Sequence, residues 1–238
     1  MLWAVRMRSA PNQDRSRWSS IRIMEQAEIL RWVEAFVRER LAGDSSGHDW
    51  WHIARVRALA RAIAREEGAD PFVCELAALL HDVADDKIAG DEEAGLQLVR
   101  EWLAAHEVDA LSAGHVMEII ASMSFGGGSR PPMRTLEGRV VQDADRLDAI
   151  GAIGVARAFA FGGTRGRTLW DPNDAPRRYA SKAEYRASDS STINHFHEKL
   201  LLLKDRMNTA YGRRLAERRH QYMLDFLQEF SAEWEGQR

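Results

Sequence analysis

One apolar run ends in a charged pair, and this junction constrains the fold of the chain more than any other feature. Residues 72–80 are apolar except for Glu75, and His81 and Asp82 follow directly. Burying an imidazole beside a carboxylate costs free energy unless each group has a strong partner. A divalent metal ion suits both groups at once. We therefore expect the pair to end a buried helix beside a metal site.

The spacing of apolar residues is helical along nearly the whole chain, which predicts an all-α fold. Gly68 predicts a helix end, and Asp70 followed by Pro71 predicts a capped helix start. A long loop from Gly162 to Ser191 precedes the C-terminal helices, and we interpret it as a candidate lid. The predicted helices cover residues 24–41, 49–67, 71–82, 92–105, 109–123, 135–161, 192–208 and a final stretch around 215–230.

Composition places the chain among ordinary globular proteins. It has 238 residues, 45% of them hydrophobic, and a net charge of -3. The chain has no excess of basic residues, so its composition gives no indication of nucleic acid as a partner. We expect residues 1–23 to form a disordered extension, with a transit peptide as the weaker alternative, and residues 24–238 to form one domain.

A single cysteine, Cys74, excludes a disulfide framework within the chain, so we expect a cytoplasmic protein. No stretch approaches the roughly 20 apolar residues that a membrane-spanning helix requires, so we expect no membrane partner. A homodimer is possible through exposed helix faces, although no heptad pattern predicts one.

Four further residues bear on the metal hypothesis. His52 neighbours the apolar stripe of its helix, and Asp143, Asp145 and Asp148 compete for one more position. Asp148 lies one turn after Asp145 and shares its face, whereas Asp143 points away from that face. Two imidazoles and two carboxylates suit Mn²⁺, Fe²⁺, Co²⁺, Ni²⁺ or Zn²⁺.

The order His52, His81-Asp82, Asp145 resembles the H…HD…D signature of the HD-domain metal-dependent phosphohydrolases. The resemblance implies an HD-domain helical bundle in which these four residues bind one divalent metal ion. Residues 81–86 are similar to the HD-x-x-(E/D)-D form of this family. That similarity implies that Asp85 activates the attacking water and that Asp86 assists; many relatives have Glu where this chain has Asp85.

Four longer stretches resemble one bacterial branch, the YpgQ/YedJ-like nucleotide pyrophosphohydrolases. What this resemblance implies is a Mn²⁺ enzyme that cleaves a (deoxy)nucleoside triphosphate to the monophosphate and pyrophosphate. The stretches are residues 48–56, 79–87, 142–151 and 195–200.

A triphosphate substrate needs cationic partners besides the metal ion. Lys87 directly follows the acidic pair, and Arg55 lies three residues after His52. Lys199 and His195 are expected to contact the substrate, and Asp148 to hydrogen-bond a ligand or approach the ribose. We interpret His115 as a structural histidine.

The residues alone leave other functions open. A 5′-nucleotidase, a cyclic-nucleotide phosphodiesterase and a (p)ppGpp hydrolase would use the same metal ligands on a different phosphorus. A metal-binding regulatory domain without turnover is a further alternative, which the acidic pair Asp85-Asp86 disfavours.

Overall fold

The computed structural model describes residues 12–42, 49–84, 91–123, 132–179, 184 and 188–237. Within these ranges we find nine α-helices, two 3-10 helices and no β-strand, which confirms the all-α prediction. The 3-10 helices are His81–Ala84 and Leu200–Arg206. The α-helices are α1 (Asn12–Arg40), α2 (Trp50–Glu67), α3 (Pro71–Leu80), α4 (Glu92–Ala105), α5 (Ala110–Met123), α6 (Leu136–Asp148), α7 (Gly151–Thr164), α8 (Thr192–Glu198) and α9 (Ala210–Trp234).

Local capping determines the ends of α2 and α3, as the sequence predicts. The carboxylate of Asp49 accepts the backbone N–H of His52 at 3.0 Å, and Gly68 ends α2 in the left-handed region at φ 76°. The carboxylate of Asp70 accepts the backbone N–H of Phe72 at 2.8 Å. These caps satisfy backbone groups that a helix end leaves without partners.

Helix α3 is the centre of the core. Every residue from Phe72 to Leu80 is buried, and the helix packs against α1, α2, α5 and α6. The buried carboxylate of Glu75 is stabilised by Arg57, which donates a hydrogen bond to it at 2.8 Å. Each large apolar side chain buried here contributes about 1.5–3 kcal/mol. The chain then tightens into the 3-10 helix His81–Ala84, which stays buried, so the charged pair is carried into the interior.

The predicted single helix over residues 135–161 is wrong. Ile150 is extended, with φ −127° and ψ 165°, and Gly151 adopts φ 77°, so α6 ends at Asp148 and α7 begins at Gly151. A positive φ is accessible to glycine at little cost, which explains why the break falls at this position. The break makes Asp148 the last residue of α6.

The predicted helix over residues 192–208 is too long. Ser191 caps α8 by accepting the backbone N–H of Asn194 at 3.2 Å, but the helical path ends at Lys199, where φ is −139° and ψ −57°. Residues 200–206 continue as a 3-10 helix.

The predicted loop begins later than expected, because α7 extends to Thr164. Part of it is attached to the C-terminal helices: the backbone N–H of Ile193 donates to the carbonyl of Leu169 at 3.0 Å. The ring of Trp170 also lies 5.4 Å from that of Trp234. A lid function for the loop stays a prediction.

Helix α1 begins at Asn12, so residues 12–23, expected to be disordered, are helical, while residues 1–11 lie outside the described part. The domain boundary at residue 24 stays a prediction. Among the described residues, no helix combines the length and apolar character needed to cross a membrane.

Candidate metal centre

His52 is the third residue of α2, and the Asp49 cap holds its backbone in place. The side chain is 1% exposed, and its Nδ1 lies 2.7 Å from Oδ2 of Asp148. Because an ionised carboxylate only accepts hydrogen bonds, we assign the proton to Nδ1. The lone pair of His52 is therefore on Nε2, which faces the interior of the cluster.

His81 reaches the same arrangement from a different element. It opens the 3-10 helix after α3, and its Nδ1 donates to the carbonyl oxygen of Ala78 at 2.8 Å. A carbonyl oxygen is only an acceptor, so the lone pair of His81 is also on Nε2. The two imidazole centroids are 5.4 Å apart, and both Nε2 atoms are buried.

Two carboxylates complete the cluster. Oδ2 of Asp82 is 3.4 Å from Nε2 of His52, and Oδ1 of Asp82 is 3.3 Å from Nε2 of His81. From α6, Oδ1 of Asp145 lies 3.5 Å from Nε2 of His52 and 3.8 Å from Nε2 of His81. Asp82 is buried, whereas the side chain of Asp145 is 39% exposed. The cluster is therefore most accessible on its Asp145 side.

The spacing of these donor atoms fits one metal ion. In an octahedral site, metal–ligand bonds of about 2.0–2.2 Å put neighbouring ligand atoms roughly 2.8–3.1 Å apart and opposite ones roughly 4.0–4.4 Å apart. The nitrogen–oxygen distances in the cluster, 3.3–3.8 Å, lie within these limits. Ligand atoms of His52, His81 and Asp82 all lie within 4.8 Å of one another. These residues could hold a divalent metal ion of borderline hardness.

Comparison with known proteins gives the family. The HD domain family model matches residues 50–150, which contain all four residues of the cluster. YpgQ of Bacillus subtilis is 41% identical over 217 residues, which cover 90% of this chain and 96% of YpgQ. The chain belongs to the HD-domain family. This confirms the resemblance to the YpgQ-like branch and to a metal-dependent phosphohydrolase, and it identifies the protein as an enzyme.

Solved structures of HD-domain relatives share the fold. A protein of Lactobacillus plantarum matches with a TM-score of 0.78 at 40% identity, covering 88% of this chain and 98% of that chain. An HD-superfamily hydrolase of Bacillus thuringiensis matches with a TM-score of 0.71 at 44% identity, with the same coverage. YpgQ in complex with ADP matches with a TM-score of 0.69 at 38% identity, covering 86% of this chain and 97% of that chain.

Asp148 lies behind His52 in this HD domain and is 1% exposed. Arg55 contacts both of its carboxylate oxygens, through Nε at 2.6 Å and Nη2 at 3.0 Å, and Nη1 of Arg157 contacts Oδ2 at 2.8 Å. Burial by itself would raise the pKa of Asp148, but the hydrogen bonds from His52 and Arg55 outweigh it and lower the pKa below its usual range. The carboxylate is therefore ionised at neutral pH.

Two residues expected to bind substrate, Arg55 and Asp148, thus contact each other. The sequence indicated that Asp148 shares a face with Asp145, but not that it would meet His52. Arg157 was missed altogether. The position of Asp148 one turn after Asp145 is the only sequence signal for these contacts. The donors to Asp148 come from α2 and α7, which the sequence does not place beside it.

Asp143 has a structural function that the sequence did not reveal. It is fully buried, and its carboxylate accepts hydrogen bonds from the backbone N–H groups of Asn208 and Thr209 at 2.8–3.0 Å. The hydroxyl of Thr209 donates a further bond at 2.8 Å. Asp143 thus links α6 to the start of α9, on the side away from the cluster.

The remaining predicted site residues are spread more widely. His195 and Lys199 lie on and just after α8, and burial, with Lys199 and Arg167 nearby, lowers the pKa of His195 to about 3. His115 lies on α5, and its Nε2 is 2.8 Å from Oγ1 of Thr135, the N-cap of α6. Asp85, Asp86 and Lys87 lie outside the described residues, so their predicted roles stay predictions.

Proposed function

We propose that this enzyme is a nucleotide pyrophosphohydrolase that converts a (deoxy)nucleoside triphosphate to the monophosphate and pyrophosphate, with one bound divalent ion, most suitably Mn²⁺. The observation that carries the proposal is the convergence of His52, His81 and Asp82, with Asp145 beside them. The ADP complex of the similar protein YpgQ supports a nucleotide as the substrate. A cytoplasmic location and a homodimer stay predictions.

The protein prepares both imidazoles as metal ligands. Asp148 and the carbonyl of Ala78 each accept a hydrogen bond from the Nδ1–H of one imidazole, which directs the lone pair of each Nε2 toward the cluster. The four cluster residues would hold a divalent cation, which supplies charge that polarises a phosphoryl oxygen and lowers the pKa of water. We propose that Arg55 and Asp148 orient His52 and do not contact the nucleotide.

The substrate approaches from the Asp145 side, because the other three cluster residues are almost completely buried. Asp85, assisted by Asp86, accepts a proton from the attacking water. The water oxygen forms a bond to the α-phosphorus, and the bond from that phosphorus to the α–β bridging oxygen breaks. Pyrophosphate leaves with the bonding electron pair.

Lys87 and Lys199 stabilise the negative charge that develops on the leaving pyrophosphate. His195 has a different role: with a pKa of about 3 it is neutral near pH 7 and contributes a hydrogen bond rather than a charge. In this proposal Lys87 and Lys199 are the cationic partners of the phosphates, and His195 is a neutral one.

Product analysis tests the proposed function. The protein is stripped of metal with a chelator, supplied with Mn²⁺, Co²⁺, Mg²⁺ or Zn²⁺, and given nucleoside mono- and triphosphates. We expect monophosphate and pyrophosphate in equal amounts. Nucleoside and orthophosphate from a monophosphate would instead identify a 5′-nucleotidase, and no turnover of either substrate would overturn the proposal.

A matched pair of variants connects the activity to the cluster. His81→Ala removes a cluster nitrogen, so turnover and bound metal are both expected to be lost. His106→Ala is the control, because Nδ1 of His106, at the end of α4, contacts the carbonyl of Trp102 at 2.8 Å, a local contact similar to the one that His81 makes with Ala78. We expect this variant to retain wild-type turnover.

A further inference from the structure

Four helices meet around the carboxylate of Asp148. It is the last residue of α6, His52 and Arg55 approach it from α2, and Arg157 approaches it from the second turn of α7. Arg219 of α9 donates to the carbonyl of the preceding residue, Leu147. Oδ2 of Asp148 alone is within 3.0 Å of three donors, one each from His52, Arg55 and Arg157.

We propose that Arg157 is a positioning residue for His52, which it orients through the Asp148 carboxylate. The proposal rests on the proposed function, because it assumes that His52 is a metal ligand. It adds a residue to which no role has been assigned and makes α7 part of the support of the metal centre.

Arg55 and Arg157 have different functions because they lie on different helices. Arg55 and His52 lie three residues apart on the same helix, so both of their contacts with Asp148 join α2 to the end of α6. Arg157 approaches from α7, beyond the break at Gly151, and holds Asp148 from a separate element. Without it, the hydrogen bonds that the carboxylate accepts within the described part of the chain come from α2 alone.

Arg157 is also the better shielded of the two guanidinium groups. Its side chain is 21% exposed, against 34% for Arg55. An ion pair is stronger where water screens it less. The ion pair between Arg157 and Asp148 is therefore stronger than the same pair would be on an exposed surface. A fixed Asp148 in turn fixes the plane of the His52 ring and the direction of its Nε2 lone pair.

The direct test is the affinity of the full-length, metal-stripped protein for Mn²⁺, measured by calorimetry. Loss of a partner behind a metal-binding histidine typically weakens metal binding about 10- to 100-fold. Because Arg157 acts one contact further away, we expect Arg157→Ala to raise the Kd about tenfold, the lower end of that range. Arg157→Lys should stay within about threefold of wild type, since the contact of Nη1 with Asp148 is one that an ammonium group can replace.

A double-mutant cycle distinguishes positioning from general damage. In an Asp148→Asn background, Arg157→Ala should change the Kd by less than about twofold, because the carboxylate through which it acts is gone. Arg57→Ala is the matched control: its side chain is 22% exposed and pairs with Glu34 and Glu75, away from the cluster. It should leave the Kd unchanged even if it lowers the melting temperature.

The outcomes separate the two proposals. If wild type binds Mn²⁺ and Arg157→Ala binds it equally well, the positioning role is overturned and the metal centre stands. An equal loss in the presence and absence of the Asp148 carboxylate would also overturn it. If wild type itself binds no metal ion, the metal centre is wrong and the positioning role falls with it. Should Arg157→Ala fail to fold, Arg157→Gln provides the same comparison with a shorter polar side chain.

Discussion

Oδ2 of Asp143 lies 2.8 Å from both the backbone nitrogen and the hydroxyl oxygen of Thr209, 66 residues away in the sequence. Thr209 is the N-cap of α9, and its hydroxyl accepts the backbone N–H of Gly212 at 3.0 Å. The carboxylate therefore stabilises the residue that starts the last helix. Since Asp143 is fully buried, water cannot replace it.

We expect Asp143→Ala to destabilise the protein by about 2–4 kcal/mol, because it leaves buried donors of Asn208 and Thr209 without their acceptor, and such losses cost about 1–3 kcal/mol each and are not additive. Urea unfolding followed by circular dichroism measures the change. Metal affinity should be unaffected in the folded variant. A loss below about 0.5 kcal/mol would show that the carboxylate does not stabilise the start of α9.

Gly151→Ala should destabilise the break between α6 and α7. Gly151 has φ 77°, and a Cβ at this position would lie 2.9 Å from Cγ of Arg219. Backbone strain and the close contact together should cost about 1–3 kcal/mol. Thermal unfolding measures this cost.

The control for Gly151→Ala is Gly163→Ala, near the end of the same helix. A Cβ at Gly163 meets nothing within 4 Å. This variant should be neutral or stabilised by up to about 1 kcal/mol, because alanine favours the helix. Equal melting temperatures for the two variants would contradict the role of Gly151.

His195 should make the protein sensitive to mild acid. Its pKa falls from an ordinary value of 6.5 to about 3 in the folded state, chiefly through burial, so below pH 6.5 the unfolded chain binds a proton that the folded one does not. The folded state therefore loses stability as the pH falls from 6.5 toward 3, by at most about 1.4 kcal/mol per pH unit.

The measurement is urea unfolding of wild type and His195→Gln at pH 7.5 and pH 5.0. Glutamine does not titrate, so the variant should lose about 1–2 kcal/mol less stability over this interval than wild type. Parallel losses in both proteins would mean that His195 is protonated in the folded state and would remove the argument for a neutral partner of the phosphates.

Asp85→Asn tests the predicted proton acceptor. The substitution removes the basic group and keeps the size of the side chain, so we expect kcat to fall about 100-fold or more, in the usual range for general base catalysis. The Kd for Mn²⁺ should stay within about threefold of wild type, since Asp85 is not predicted to be a metal ligand. Unchanged turnover with unchanged metal affinity would exclude Asp85 as the base.

Much of the framework could be predicted from the sequence because its determinants are local. The Asp49 cap, the left-handed Gly68 and the Asp70 cap each act within a few residues, and they define α2 and α3. The apolar run before His81 predicts burial, since eight of its nine residues are apolar. The order of His and Asp residues in the sequence likewise predicted the cluster of His52, His81, Asp82 and Asp145.

The two helix breaks were not predicted, because apolar periodicity continues across both of them. Ile150 and Lys199 leave the helical region even though neither residue is a strong breaker. Gly151 was the available signal, but an isolated glycine is tolerated within many helices. At Gly151 the chain turns where α7 and α9 pack against α6, and these contacts are distant in sequence and invisible to apolar periodicity.

The sequence by itself predicted which residues gather at the candidate metal centre, whereas the tertiary structure decided what each neighbouring carboxylate does. Asp143, Asp145 and Asp148 occupy one helix within six residues, yet one supports α9, one faces the cluster and one holds His52. Helical spacing determines only the direction in which a side chain leaves its own helix. Its partners come from other helices, and their positions depend on packing across the whole core.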